Sequence, residues 1–156
     1  HSSFTFLLHG VSRCLLAELT RHRHHSFSVR SQRYCNEGDS FAVIPQALLE
    51  NKADPAVREA LVQYREANTN ARRVYKVIQK SLLDLGIDRK TANDAARYVL
   101  PEGTETELFV TANGRAWIEF LTKRDSDGAA IEIRQLAGHI SEALKKAAPS
   151  TFQDGK

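Results

Sequence analysis

Apolar and polar positions change period several times along the chain, and each change marks an element. Ser3–His9 (SFTFLLH) mixes aromatic and β-forming residues and predicts a strand, punctuated by Gly10. From Val11 the period becomes helical. Val11, Leu15, Leu16 and Leu19 form one apolar stripe, which predicts a helix over Val11–His22 with Ser12 near its N-cap. Glu18 and Arg21, three apart, share a different, polar face. His24–Asp39 has no clean period and reads as a long ordered loop, a common place for function. Phe41–Pro45 is a short extended segment. Asp54 followed by Pro55 is an N-cap and first helical position, and predicts a long helix to about Leu85. Leu61, Tyr64, Ala71, Val74, Ile78 and Leu82 lie near one face of it, and Gly86 stops it. Asp88 opens a further helix that ends before Pro101. Thr104–Ala112 alternates and predicts a strand, followed by helices over Arg115–Lys123 and Ala129–Ala147. The last turns Ile133, Leu136, Ile140 and Leu144 inward, with Pro149 just beyond its end.

The order strand, helix, loop, helices, strand, helices predicts one α/β (α+β) domain over residues 1–156, a small sheet packed with several helices including one long one. Two strands do not make a stable sheet, so the rest is expected from sequence ahead of His1 or from a partner subunit. The chain begins at His1 and contains no methionine, which is read as N-terminal trimming. Apolar residues at 42% and charged residues at 26% describe a globular chain and exclude a disordered one. No apolar run approaches the roughly 20 residues of a membrane span. Two cysteines exclude a disulfide scaffold. No signal-peptide pattern follows His1, so a cytoplasmic protein is expected.

The net charge of +3 is unevenly spread. Residues 1–36 carry Arg13, Arg21, Arg23, Arg30 and Arg33 against one acid, Glu18, together with five of the six histidines. The densest run is Arg21-His22-Arg23-His24-His25, followed by Ser26, Ser28, Ser31, Arg33 and Tyr34. Two readings stay open on composition: a helix C-terminus stabilised by positive side chains, or a site for a nucleotide phosphate, a pyrophosphate or a nucleic-acid backbone. A metal site is not expected, because the flanking arginines repel a cation and histidine ligands are usually backed by carboxylates. His22 continues the Leu15/Leu19 face and also reads as a packed histidine. Cys14 and Cys35 lack a paired base, and Ser31 lacks the strand-to-helix elbow of a serine nucleophile, so a hydrogen-bonding serine is the better reading. A second polar cluster comprises Arg97, Asn113, Arg115, Glu119, Arg124 and Arg134. Asn113, between a strand and a helix, serves as an N-cap or faces a ligand at the helix N-terminus.

The spacing Arg21-His22-Arg23, seven residues, Ser31, then Arg33-Tyr34 resembles the signature of the flavin-dependent thymidylate synthases. The resemblance runs through most of the chain: His1-Ser-Ser-Phe-Thr-Phe, Val11-Ser12-Arg13, Glu18-Leu19, Ala96-Arg97-Tyr-Val-Leu100-Pro101, Thr106, Thr111-Ala-Asn113-Gly-Arg115-Ala-Trp117, Phe120, Arg124 and Glu132-Ile133-Arg134 follow in order. It implies that family's fold and its reaction, reductive methylation of dUMP to dTMP. Methylenetetrahydrofolate would supply the carbon and NADPH the electrons, through FAD. Position by position it implies that Arg21, His22, Arg23, Asn113 and Arg115 contact FAD. Glu18, Arg21, Ser31, Arg33 and Arg97 would hold dUMP, and Arg124 would sit against the uracil and stabilise its ionised N3. It also implies a homotetramer with sites shared between chains, and no nucleic-acid or membrane partner. Cys14 and Cys35 would be bystanders.

Four positions depart from the family pattern. Val29 stands where Glu or Gln is usual, Arg30 takes an apolar place, Glu119 replaces Asn or His near the flavin, and Gly128 replaces a frequent His. The expected result is weaker FAD binding or a diverged, poorly active member of the family. The rival reading is a non-catalytic nucleotide- or nucleic-acid-binding module on the same arginines; a third is a cysteine-dependent methylase.

Overall fold

The computed structural model describes residues 2–153. His1, which opens the matched strand segment, lies outside the described residues. The elements are β1 (Ser3–Ser12), α1 (Arg13–Leu19), β2 (Ser26–Val29), α2 (Gln46–Glu50), α3 (Pro55–Asp84), α4 (Arg89–Ala96) running into a 3₁₀ turn (Arg97–Val99), β3 (Glu105–Asn113), α5 (Gly114–Arg124) and α6 (Ile131–Ala147). The expected α+β class holds.

The sheet has three strands in the order β1-β3-β2, so the last strand in sequence lies in the middle. This corrects the two-strand expectation. The third strand comes from within the chain, out of the segment expected to be loop. β1 also runs further than expected, through Gly10 at φ 68 and on to Ser12. A left-handed residue is inexpensive only for glycine, so the strand continues through Gly10 rather than ending there. The first helix is correspondingly shorter. It starts at Arg13 instead of Val11 and stops at Leu19, leaving Arg21 and His22 in the turns beyond its end.

Packing divides the chain into two compact units. Among the described residues the first contains 2–8, 14–28 and 108–153; the second contains 9–13 and 29–107. The core of the first is aromatic. Trp117 and Phe120 of α5 are fully buried, and Phe6 meets Trp117 edge-to-face at 5.1 Å. The Trp117 indole N–H donates to the Phe4 carbonyl at 3.2 Å. Leu15, Leu16 and Leu19 of α1 and Ile133, Leu136, Ile140 and Leu144 of α6 are buried as their spacing predicts.

The second unit is built on α3. The Asp54 side chain accepts from the Ala56 and Val57 amides at 2.8 and 3.2 Å, with Pro55 at the first helical position. At the other end Gly86 (φ 81) donates to the Leu83 carbonyl and Ile87 to the Leu82 carbonyl, the paired bonds of a Schellman cap. The buried line of α3 differs from the expected apolar stripe. It comprises Leu61, Asn68, Tyr75 and Gln79, because this face packs against polar backbone that needs partners. The Tyr64 hydroxyl donates to the Val43 carbonyl at 2.6 Å, Arg72 donates to the Ser40 carbonyl at 2.8 Å, and the Tyr75 hydroxyl accepts from the Glu37 amide at 3.2 Å. These bonds tie the segment around residues 37–43 to the helix.

Candidate functional site

The first unit gathers the signature residues around the end of α5. Arg124, in its last turn, points its guanidinium at Glu18 and His22. Its Nε donates to His22 Nε2 at 3.0 Å and its Nη1 lies 3.3 Å from Glu18 Oε2. An imidazole nitrogen that accepts from a guanidinium carries no proton, so His22 is neutral with its proton on Nδ1. Burial and the charge of Arg124 both hold its pKa below the usual histidine value. The ring is fixed by edge-to-face contacts with Phe120 at 5.1 Å and His25 at 5.6 Å. The packed-histidine reading and the ligand reading of His22 are therefore compatible.

His25 is buried, its ring 4.6 Å from that of Trp117. Burial pushes its pKa down to about 4, with the His22 ring adding to the effect. Among the described residues neither of its ring nitrogens has a hydrogen-bond partner. Arg21 and Arg23 are exposed. With His22, His25, Glu119 and Arg124 they line a pocket of about 420 Å³. Glu119 is exposed and paired with Lys123 at 2.6 Å, which holds its carboxyl below the usual range.

Asn113 and Arg115 lie at the other end of α5. The Asn113 side chain caps the helix, accepting from the Ala116 amide at 2.9 Å, and Arg115 is exposed one residue inside. At about 1.5 Å per residue, Asn113 and Arg115 lie about 16 and 14 Å along the axis from Arg124. The five residues assigned to FAD thus fall at two places on one chain.

The second unit brings Arg33 and Arg97 together. Their guanidiniums meet on one carboxylate oxygen of Asp94, at 3.4 Å from Arg33 Nε and 2.8 Å from Arg97 Nη2. The Ser31 hydroxyl accepts from the Arg33 amide at 3.3 Å and its carbonyl from the Tyr34 and Cys35 amides, so Ser31 shapes the turn that carries Arg33. Beside Arg97 lies a cavity of about 260 Å³ lined by Arg13, Gln32, Tyr98, Leu100, Pro101 and Glu102. Gln32 is buried, and among the described residues its amide nitrogen has no partner. Sequence reasoning missed Asp94 and Gln32. The signals were present, an acid three residues before Arg97 on a helix and a polar residue between Ser31 and Arg33, but each also reads as ordinary surface.

Of the departures, Arg30 and Glu119 have charged partners, while nothing in the structure explains Val29 or Gly128. Arg30 pairs with Glu37 at 3.4 Å and approaches Glu107 at 3.9 Å. Glu37 is buried, which raises its pKa against the pull of Arg30. Val29 is half-buried at the end of β2, and Gly128 is exposed. Cys14 is exposed and Cys35 half-buried, both free thiols. Among the described residues no group of three or more His, Cys, Asp or Glu is placed to hold a metal, and no helix is long and apolar enough to cross a membrane.

The fold is that of an α+β protein, and among the described residues each unit presents an arginine-lined polar pocket suited to an anionic ligand. The family of the thymidylate synthase complementing protein matches residues 1–150, and the chain belongs to that family. It is similar to the probable flavin-dependent thymidylate synthase of Mycobacterium phage L5, with 43% identity over 155 residues covering 99% of this chain and 63% of the phage protein. The flavin-dependent thymidylate synthase of Mycobacterium marinum is 41% identical over 161 residues, covering 99% of this chain and 62% of that protein. The chain thus spans less than two thirds of these relatives. In structure it resembles thymidylate synthase X from Helicobacter pylori, crystallised with FAD and dUMP. The TM-score is 0.69 at 28% identity, over 98% of this chain and 72% of that one.

Proposed function

We propose that the chain carries the catalytic part of a flavin-dependent thymidylate synthase, which reductively methylates dUMP to dTMP with methylenetetrahydrofolate as carbon donor and NADPH as reductant. One observation carries this reading. Arg21, His22 and Arg23 share a pocket with Arg124, about a hundred residues later, and Arg124 is oriented there by Glu18 and a neutral His22.

The donor set fits FAD. A pyrophosphate calls for fixed cations, and Arg21 and Arg23 stand exposed at this pocket. Arg21, His22 and Arg23 would hold the cofactor, which when bound supplies the hydride chemistry that the side chains lack. Arg124 has a different task. His22 accepts its N–H without adding charge, so the guanidinium, which also pairs with Glu18, would stand as a fixed cation against a uracil ring ionised at N3. Such preorganised charge lowers the cost of forming an anion. Arg33 and Arg97, forked and permanently charged, would take the phosphate of dUMP, with Ser31 setting the turn that presents Arg33. Glu18 would both orient Arg124 and contact the nucleotide.

Asn113 and Arg115, about 14–16 Å along α5 from Arg124, would serve FAD in a homotetramer whose subunits share sites. The free thiols suit a reducing cytoplasm. In a solution test the protein, purified with any sequence that precedes His1, should be yellow and should oxidise NADPH in a dUMP-dependent way. A colourless protein whose binding to mixed oligonucleotides falls steeply with salt would instead support the nucleic-acid-binding rival.

A further inference from the structure

Arg33 and Arg97 converge on an oxygen that already belongs to the protein. Asp94 Oδ1 lies 2.8 Å from Arg97 Nη2 and 3.4 Å from Arg33 Nε. All three side chains are partly exposed, between 35% and 46%. Ion pairs in such surroundings contribute little to holding a fold, so Asp94 is not what keeps Arg33 in place.

That task falls to its neighbour. Asn93 is fully buried. Its amide donates to the Arg33 carbonyl at 3.0 Å and to the Cys35 carbonyl at 3.4 Å, and its own oxygen accepts from Gln79. Arg33 is therefore anchored through its backbone from inside, while its guanidinium is neutralised from outside. Two cations and one carboxylate leave the cluster one positive charge in excess. The adjoining cavity presents Arg13, Arg97 and the unpartnered Gln32 amide, a donor-rich wall facing space.

We propose that Asp94 is a built-in competitor for the phosphate of the nucleotide, an internal counter-ion that occupies the arginine pair in the free protein and sets how tightly a monophosphate binds. The proposal rests on the reading of Arg33 and Arg97 as the dUMP phosphate site. A dianionic phosphate outcompetes one carboxylate for two guanidiniums, and the retained negative charge beside it weakens the result. Removing that charge strengthens phosphate binding because the anchored arginine backbone stays where it is.

The test measures dUMP and deoxyuridine binding by calorimetry on the FAD-loaded protein, for wild type, Asp94→Asn, Asp94→Ser, Asp94→Glu and Arg97→Ala. Asp94→Asn and Asp94→Ser should each bind dUMP about three- to tenfold more tightly, as expected for removing one nearby charge at a partly exposed site. Deoxyuridine binding should not change, and Asp94→Glu should restore wild-type affinity for dUMP. If Arg97→Ala weakens dUMP binding but both neutral Asp94 variants bind it equally or less tightly, the competitor role is overturned and the phosphate site survives. If Arg97→Ala leaves dUMP binding unchanged, the phosphate-site reading fails, and the proposal with it.

Discussion

At the scale of single residues, Arg124 is the most consequential side chain. Its neighbours fix its direction: the neutral His22 ring accepts from Nε and the Glu18 carboxylate pairs with Nη1. Arg124→Ala should leave the circular-dichroism spectrum unchanged and lower dTMP formation by about 10²–10³-fold, the usual cost of removing one preorganised charge-stabilising group. Full turnover in that variant would sink the assigned role. Val29 is the converse case, a residue that cannot hydrogen-bond where the family pattern has an amide or carboxylate. Val29→Gln should tighten FAD binding by about two- to tenfold, the worth of one hydrogen bond of about 0.5–1.5 kcal/mol. Unchanged affinity in a fluorescence titration would show that the valine costs nothing. The signature arginines could be singled out in the sequence because the run resembles a known family's motif and further matches follow in order; composition alone left them open. Asp94 was not, because what makes it special is the meeting of Arg33 and Arg97 on one of its oxygens, and that depends on the fold.

The elements show the same division. Helices with chemical punctuation could be read closely. Asp54-Pro55 starts α3, Asp88 starts α4 with its side chain on the Thr91 amide, and Asn113 starts α5. Gly86→Ala should lower stability by about 1–2 kcal/mol, because its φ of 81 is left-handed and costs a β-carbon that much. A Gly86→Asn variant, which tolerates that region better, should recover part of the loss in a urea titration. β2 escaped because four residues between a histidine cluster and an arginine-rich turn show no alternation long enough to register. Its identity as a strand comes from its pairing with β3, a non-local fact. The α1 boundary was displaced for a related reason. Val11 and Ser12 fit a helical stripe as well as a strand, and the sheet claimed them.

For the molecule as a whole, each unit contains a buried titratable group, and the two respond to acid with opposite signs. In the first unit His25 has a folded pKa of about 4 against an ordinary 6.5, with burial the main cause. The folded state then binds fewer protons than the unfolded one, so stability falls as pH drops from about 6.5 to about 4 and levels off below. His22, also lowered, adds to that slope. In the second unit burial raises Glu37, which favours the protonated folded form and loses stability as pH rises above about 4.5. His25→Phe should therefore shrink the fall in melting temperature between pH 7 and pH 4.5, measured by scanning calorimetry; an undiminished fall would assign the acid sensitivity elsewhere. The contact between His25 and Trp117 has an optical consequence. The chain has one tryptophan, and its indole is buried edge-to-face against this imidazole at 4.6 Å. A protonated imidazole quenches indole fluorescence far more strongly than a neutral one. The emission of Trp117 is thus an intrinsic gauge of the charge on His25, bright at neutral pH and dimming as the proton arrives.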